Sequence, residues 1–144
     1  MPTRSRAPDV LVDTSVAVAM VVADHEHHVP TLEAIGGRRT GLAGHAAFET
    51  FSVLTRLPPP ARRTPDVVAR LMAENFPQNC YLSVEATHEL LSRLVDVGVA
   101  GGSVYDALVG AAAAEHGVVL ATRDRRALEI YRALDVDVEF LGVR

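Results

Sequence analysis

Short apolar runs alternate along the chain with longer segments in which apolar residues recur at helical spacing. The clearest buried strand is Val-Val-Leu-Ala at residues 118–121, and Val-Leu-Val stands between two acids at residues 9–13. Strands separated by helices are typical of a parallel sheet that carries helices on both faces. The pattern predicts strands at residues 9–13, 40–43, 80–83, 118–121 and 136–141, the last at a sheet edge, and helices at residues 14–22, 27–35, 45–56, 65–76, 84–97, 103–116 and 124–134.

Proline and glycine mark several of the predicted helix boundaries. The run Pro58-Pro-Pro60 ends one helix, and Thr64 followed by Pro65 is typical of the cap and first residue of the next. Gly98 and Gly117 each follow a helical segment, where glycine commonly ends a helix. Because no repeat or linker interrupts this series, we expect residues 1–144 to form a single domain.

The charge of the chain excludes several classes of function. The net charge of −4 argues against a general nucleic-acid coating protein, because such proteins are usually strongly basic. All 14 cationic residues are arginine and none is lysine. Any mechanism that depends on a catalytic lysine is therefore excluded.

The sequence also indicates where the protein acts. No apolar run approaches the roughly 20 residues that a membrane span needs. The charged, proline-containing start at residues 1–9 is unlike a secretory signal. A single cysteine, Cys80, excludes an internal disulfide framework. We expect a cytoplasmic protein without a membrane partner.

Two acids fall at the carboxyl ends of predicted strands. Asp13 closes the first strand, and Asp124 follows the strand at residues 118–121 by three residues. In open parallel sheets, ligands bind beyond these ends, where the strand order reverses. Both acids also precede helices, so each is equally explained as a helix cap. If the two strands are neighbours, both carboxylates face one crevice.

Two further acids lie on predicted helices. Asp106 is the only charged residue in the apolar run VYDALVGAAAA, although with Ser103 it also fits a capping box. Glu49 is the only acid between Glu33 and Asp66, and a solvated helix face is its simplest explanation.

The four acids gain meaning as a group. Two carboxylates about 5 Å apart repel each other by about 3 kcal/mol at an effective dielectric constant near 20. A cluster of four therefore needs a compensating cation. Carboxylate oxygens are ligands for Mg²⁺ or Mn²⁺ rather than for zinc, and such an ion activates water and neutralises a phosphoryl group.

In this order, the motifs resemble the PIN-domain family and, within it, the VapC-like ribonuclease toxins of type II (VapBC) toxin–antitoxin systems. The resemblance rests on Val10-Leu-Val-Asp13-Thr14-Ser15, Glu49, Tyr105-Asp106-Ala-Leu and Thr122-Arg123-Asp124, which together extend over nearly the whole chain. It implies a three-layer α/β/α sandwich with a five-stranded parallel sheet. It also implies hydrolysis of RNA phosphodiesters with Mg²⁺ or Mn²⁺.

Residue by residue, the resemblance makes Asp13, Glu49, Asp106 and Asp124 the catalytic and metal-binding acids. Ser15 and Thr122 become hydroxyls that support the metal, water or phosphate. Arg125-Arg126 stands where some family members have an additional acid, so a second ion is less expected. The resemblance further implies a homodimer, a VapB-like antitoxin whose tail blocks the acidic pocket, and structured tRNA or rRNA as the substrate.

Other residues have simpler explanations. Arg123, Arg125 and Arg126 flank the predicted pocket and either contact RNA phosphates or form a solvated helix face. The tract His25-Glu26-His27-His28 is better explained as an exposed loop than as a zinc site. Phe48 and Phe51 fit the core or a subunit interface better than a base-stacking platform.

Alternative functions fail on specific positions or await a test. A receiver domain requires a lysine, a haloacid-dehalogenase-like phosphatase requires Asp at position 15, and a dinucleotide-binding domain requires a glycine-rich turn after the first strand. Two alternatives stay open. One is a catalytically silent PIN-like module that binds RNA or protein, and the other is a PIN ribonuclease of RNA processing without an antitoxin.

Overall fold

Four short strands form one sheet in the computed structural model, which describes residues 7–142. The strands are β1 (Val10–Val12), β2 (Thr40–Leu42), β3 (Leu120–Thr122) and β4 (Val138–Phe140). The helices are α1 (Thr14–Val21), α2 (His28–Ile35), α3 (Ala46–Thr55), α4 (Pro65–Asn75), α5 (Val84–Val97), α6 (Ser103–His116) and α7 (Leu128–Ala133). Residues 1–6, on which the expectation of no secretory signal partly rests, lie outside the described part of the chain.

The sheet is parallel throughout, with strand order β2-β1-β3-β4. In β1, Leu11 pairs with Gly41 on one side and with Leu120 on the other. The three residues of β1 and of β3 are completely buried, which requires cover on both faces of the sheet. Helices supply that cover, so the predicted α/β/α sandwich with a parallel sheet is confirmed. The predicted edge position of the last strand is also confirmed, since β4 is only half-buried.

The prediction of a fifth strand at residues 80–83 is wrong. Only Cys80 pairs in the manner of a strand, through a single parallel bridge to Ala43. One residue earlier, the side-chain oxygen of Asn79 replaces a strand carbonyl and accepts a hydrogen bond from Leu42 N at 2.7 Å. Three residues later, Ser83 already caps α5 by accepting a hydrogen bond from the backbone of Ala86. The segment therefore has no room to continue along the sheet edge.

A glycine permits this segment to lie against β2. A Cβ atom built on Gly41 would stand 1.9 Å from the backbone oxygen of Gln78, far closer than atoms approach. Only a residue without a side chain fits at this position. The close approach brings residues 78–80 alongside the edge of the sheet without forming a regular strand.

Most helix boundaries agree with the predictions, with small differences. Gly98 and Gly117 end α5 and α6 in the left-handed conformation, with φ of 70° and 64°. Pro65 is the first residue of α4. The last predicted helix starts as a 3₁₀ turn (Arg125–Ala127) before α7 begins. Among the described residues, no helix is both long and apolar enough to cross a membrane.

Candidate active site

The point where the strand order reverses lies at β1. The chain passes from β1 to β2 on one side and later returns to β3 on the other side. Asp13 directly follows β1, and Asp124 follows β3 by two residues. The two strands are neighbours, so the condition for a shared crevice is met. Their carboxyl ends lie side by side, which brings both acids to the same edge of the sheet.

The four predicted acids line a single small cavity of about 40 Å³ at this edge. They come from four separate segments of the chain. Asp13 and Asp124 follow strands, Glu49 lies in the first turn of α3, and Asp106 lies in the first turn of α6. The remaining residues of the cavity wall are Thr14, Ser15, Val109 and Tyr131.

Asp13 is the most firmly held of the four acids. It is only 4% exposed, and both of its carboxylate oxygens accept hydrogen bonds. The Ser15 hydroxyl donates to Oδ1 at 2.6 Å, the backbone of Val16 donates to Oδ1 at 3.3 Å, and the Tyr131 hydroxyl donates to Oδ2 at 3.0 Å. Burial raises the pKa of Asp13 despite these hydrogen bonds, which favour the charged form. Asp13 is thus a helix cap and also part of the cavity wall.

Tyr131 was not predicted from the sequence as part of the site. It lies in α7 and is almost completely buried, with its ring against Gly110 of α6. A Cβ atom at Gly110 would stand 2.9 Å from the Tyr131 ring, so the missing side chain makes room for it. Burial and the nearby Asp13 carboxylate raise the pKa of Tyr131, which keeps its hydroxyl protonated and able to donate. Helical spacing in a sequence identifies such a tyrosine only as a core residue.

The electrostatics of Asp106 show how close the acids lie. Burial is the largest cause that raises the pKa of Asp106 to about 6, and the negative charges of Asp124, Glu49 and Asp13 raise it further. The capping box that was considered for Ser103 and Asp106 is not formed. Ser103 is the first residue of α6, Gly102 occupies the cap position, and no side chain caps the helix there.

The other two acids have mixed roles. Asp124 caps the 3₁₀ turn by accepting a hydrogen bond from the backbone of Arg126 at 2.9 Å, and it lines the cavity as well. Glu49 is exposed, as a solvated helix face predicts, yet it also borders the cavity. The cap of Asp124 and the exposed position of Glu49 are thus confirmed, and both acids also line the cavity.

The two predicted hydroxyls, of Ser15 and Thr122, form hydrogen bonds with the segments that carry the acids. Ser15 donates to Asp13 and accepts a hydrogen bond from the backbone of Arg123 at 2.8 Å. Thr122 is completely buried, and its hydroxyl accepts a hydrogen bond from the backbone of Asp124 at 3.0 Å. Ser15 lines the cavity, whereas Thr122 lies behind it.

The three predicted arginines have different surroundings. The guanidinium of Arg123 donates to the Thr31 hydroxyl at 3.2 Å and to the carbonyl of Leu141 at 3.0 Å, so it bonds within the protein. Arg125 lies beside the ring of Phe140. The side chain of Arg126 is 95% exposed and stands 3.7 Å from Asp124. Contact of any of them with RNA stays a prediction.

The histidine tract lies in the loop before α2 and at the first residue of that helix. His25 and His27 lie in the loop before α2 with ring centroids 5.7 Å apart, and His28 begins the helix. Both loop histidines are half-buried rather than fully exposed because they line a second, larger cavity.

Phe48 in α3 is 69% exposed and therefore does not belong to the core.

The chemistry of the acids fits a hard divalent cation. The cavity offers carboxylate oxygens and hydroxyls, which are ligands that Mg²⁺ and Mn²⁺ accept. Within residues 7–142, no three His, Cys, Asp or Glu side chains converge closely enough to form a ready-made site. Rotation of these side chains toward one another would therefore be needed for them to enclose an ion.

The comparison with known families agrees with this geometry. A model of the PIN domain matches residues 10–133. The chain belongs to the PIN-domain family. It is similar to two curated proteins of Mycobacterium tuberculosis, Ribonuclease VapC27 and Ribonuclease VapC40, and is 45% identical to each over 131 residues. The alignments cover 91% and 90% of this chain and 96% of each relative. The predicted relationship to VapC-like PIN domains is confirmed.

Solved structures of this family share the fold at low sequence identity. FitAcB from Neisseria gonorrhoeae superposes with a TM-score of 0.62 at 20% identity, covering 92% of this chain and 97% of that one. VapBC2 from Rickettsia felis, bound to a DNA fragment from its promoter, gives a TM-score of 0.64 at 14% identity, covering 91% and 97%. At these identities the comparison establishes the fold.

Proposed function

We propose that this PIN domain is a Mg²⁺- or Mn²⁺-dependent endoribonuclease that acts as the toxin of a VapBC-type pair. The observation that carries the proposal is the cavity at the reversal point of the sheet, where four carboxylates from four segments face one another. The names of the two Mycobacterium tuberculosis relatives support ribonuclease activity.

In this mechanism, Asp13, Glu49, Asp106 and Asp124 would hold the cation and orient the attacking water. Mg²⁺ or Mn²⁺, when bound, lowers the pKa of water and neutralises charge on the phosphoryl group. Ser15 and Tyr131 fix the direction of the Asp13 carboxylate. Burial and the neighbouring negative charges raise the pKa of Asp106, so a cation bound beside it would favour its charged form. In this proposal Arg126, exposed beside Asp124, contacts the phosphodiester.

Removal of divalent cations tests the enzymatic part of the proposal. We expect the purified protein to cleave mixed RNA with Mg²⁺ or Mn²⁺ and to stop in excess EDTA, because without the cation the attacking water is not activated. Gel electrophoresis of several RNA classes, including tRNA and rRNA, measures the cleavage. Identical RNA patterns under all conditions, from folded protein, would favour a catalytically silent module that binds RNA or protein.

Tyr131 provides a test of how the site is oriented. The Tyr131→Phe variant keeps the ring against Gly110 but loses the hydrogen bond to Asp13. Because residues that orient a metal ligand usually contribute 10- to 100-fold to affinity, we expect Mn²⁺ to bind about 10-fold to 100-fold more weakly. Mn²⁺ binding measured by electron paramagnetic resonance checks this. Tyr81→Phe, on the exposed surface away from the cavity, is the matched control. Equal Mn²⁺ affinity of both variants and the wild type would remove Tyr131 from the site.

The toxin role rests on the relatives and on the structural neighbours that contain both toxin and antitoxin chains. We propose a cytoplasmic homodimer with a cognate VapB-like antitoxin and tRNA or rRNA as the substrate. Apolar side chains exposed on neighbouring segments, Phe48, Tyr81, Val84 and Tyr105, offer a surface for the second copy.

Induction of the chain in a bacterial host tests the toxin role. We expect growth to stop, and to resume when the product of a short adjacent upstream reading frame is co-expressed. The Asp13→Asn variant, expressed at the same level, is the control and should allow normal growth. Normal growth with the wild-type protein, whose RNA cleavage has been shown in vitro, would favour a PIN ribonuclease of RNA processing without an antitoxin.

A further inference from the structure

A second cavity of about 440 Å³ opens beside the acidic one. Thr14 and Ser15 line both cavities, so the two cavities adjoin each other and one extended ligand could occupy both. The walls of this larger cavity come from α1, the loop before α2 and the segments after β3 and β4. We refer to it below as the basic cleft.

The basic cleft has the opposite electrostatic character to its neighbour. Its lining includes His25, His27, Arg123 and Arg125, and among the described residues that line it there is no Asp or Glu. The nearby Glu26 carboxylate stands 3.0 Å from His27 Nε2, so the two arginines are the cations that give the cleft its character. In a chain with a net charge of −4, this is a local reversal of sign. A polyanion held at the acidic cavity therefore finds its favourable surface on this side.

Phe140, at the end of β4, gives the basic cleft an aromatic wall. Its ring is half-buried and lies beside Arg125, whose guanidinium carbon stands 5.8 Å from the ring centroid. The tip of the ring contacts the backbone of Gly142, where an added Cβ atom would stand 2.4 Å from the ring. Backbone contact fixes the position of the ring, as a stacking surface requires. Nucleobases stack on such aromatic rings and on guanidinium planes.

The wall of the basic cleft is joined to the acidic site by hydrogen bonds. The backbone of Arg123 donates to the Ser15 hydroxyl at 2.8 Å, and that hydroxyl donates to Asp13 at 2.6 Å. The guanidinium of Arg123 is itself anchored by hydrogen bonds to the Thr31 hydroxyl and to the carbonyl of Leu141. Hydrogen bonds thus connect a residue of the basic cleft directly to Asp13 of the acidic site.

We propose that the basic cleft binds the nucleotide next to the scissile phosphate in single-stranded RNA. Its base stacks on Phe140, and its phosphate contacts Arg125. The size of the cleft is within the range of sites for small organic ligands. A base in a duplex stays in its own stack and does not reach Phe140, so the site selects loops and unpaired ends. This inference rests on the proposed ribonuclease function.

Equilibrium binding in EDTA, where no cleavage is expected, separates recognition from catalysis. The probe is a short fluorescent single-stranded oligoribonucleotide, measured by anisotropy against the full chain. We expect Phe140→Leu to weaken binding about 10-fold, since base stacking contributes about 1–3 kcal/mol. Arg125→Gln should weaken binding and also reduce its salt dependence by about one phosphate contact. Arg70→Gln, which removes the same charge on exposed α4, should bind as the wild type does.

Each outcome decides between alternatives. Equal affinity of Phe140→Leu, Arg125→Gln and the wild type would overturn the inference and leave the basic cleft to a protein partner. The absence of wild-type binding at about 100 µM protein, where even non-specific binding is measurable, would overturn it as well. A blunt RNA duplex should bind without sensitivity to Phe140→Leu. If both variants lose binding and the wild-type protein does not cleave RNA, the ribonuclease proposal is contradicted and the nucleotide-binding site is retained.

Discussion

Replacement of Asp13 by asparagine is expected to abolish RNA cleavage, by at least about 1000-fold, while leaving the protein folded. A loss of this size corresponds to about 4 kcal/mol, which is in the range that a bound metal ion contributes to charge stabilisation. The fold should survive because the asparagine oxygen still accepts from Ser15 and Val16, and its amide donates to the Tyr131 oxygen. Cleavage rates, circular dichroism and urea unfolding measure both parts.

Asp96→Asn is the matched control for this variant. It makes the same chemical change at an exposed position of α5, a helix that contributes no residue to the acidic cavity. We expect wild-type cleavage from it. Full activity in well-folded Asp13→Asn protein, purified free of other nucleases, would contradict the assignment of the acidic cavity as the active site.

Replacement of Gly41 by alanine is expected to have the largest effect on stability. The added Cβ atom would collide with the backbone of Gln78, and a backbone cannot turn aside as a side chain can. We expect a loss of about 3 kcal/mol or more, at the upper end of the cost of overpacking. For a chain of 144 residues this lowers the melting temperature by about 10 °C.

Gly37→Ala provides the comparison, because nothing lies within 4 Å of the position where its Cβ atom would stand. Its melting temperature should stay within about 2 °C of the wild-type value. Calorimetry measures both variants. Equal melting temperatures for the two would show that residues 78–80 do not pack against β2 as described.

The sequence was sufficient to place the two acids that follow strands. Asp13 directly follows an apolar run and Asp124 follows another by three residues, and in parallel sheets the carboxyl ends of neighbouring strands meet at one edge. Asp106 was identified by its isolation in an apolar helix, and its raised pKa has the same origin, since burial and like charges act on it together. Both inferences depend on local patterns that a single sequence contains.

Those local patterns do not predict contacts between segments that are distant in the sequence. The hydrogen bond from Tyr131 to Asp13 joins residues 118 positions apart, and nothing in the helical spacing of α7 distinguishes it from ordinary packing. The predicted strand at residues 80–83 failed for a similar reason. The apolar character of the segment was seen, whereas the side-chain oxygen of Asn79, which takes the place of a backbone carbonyl, was not.

The residues of the basic cleft are distant in the sequence and come together only in the folded protein. His25 and His27 are more than 100 residues from Phe140 in the sequence, and the histidines resembled an isolated tract. The fold brings the two histidines and Phe140 to the wall of one cavity, next to the acids. Glu49 illustrates the same limit, since its position on an exposed face of α3 is ordinary until the cavity beside it is seen.

Metal add-back to stripped protein tests metal-dependent cleavage by the four acids most directly. Wild-type protein and Asp13→Asn are freed of metal with EDTA, dialysed, and supplied with Mn²⁺ in parallel, and RNA cleavage is followed over time. We expect cleavage to return in the wild type and to stay absent in Asp13→Asn at every Mn²⁺ concentration. Cleavage by the stripped wild type without Mn²⁺, or equal recovery in Asp13→Asn, would contradict the proposed function.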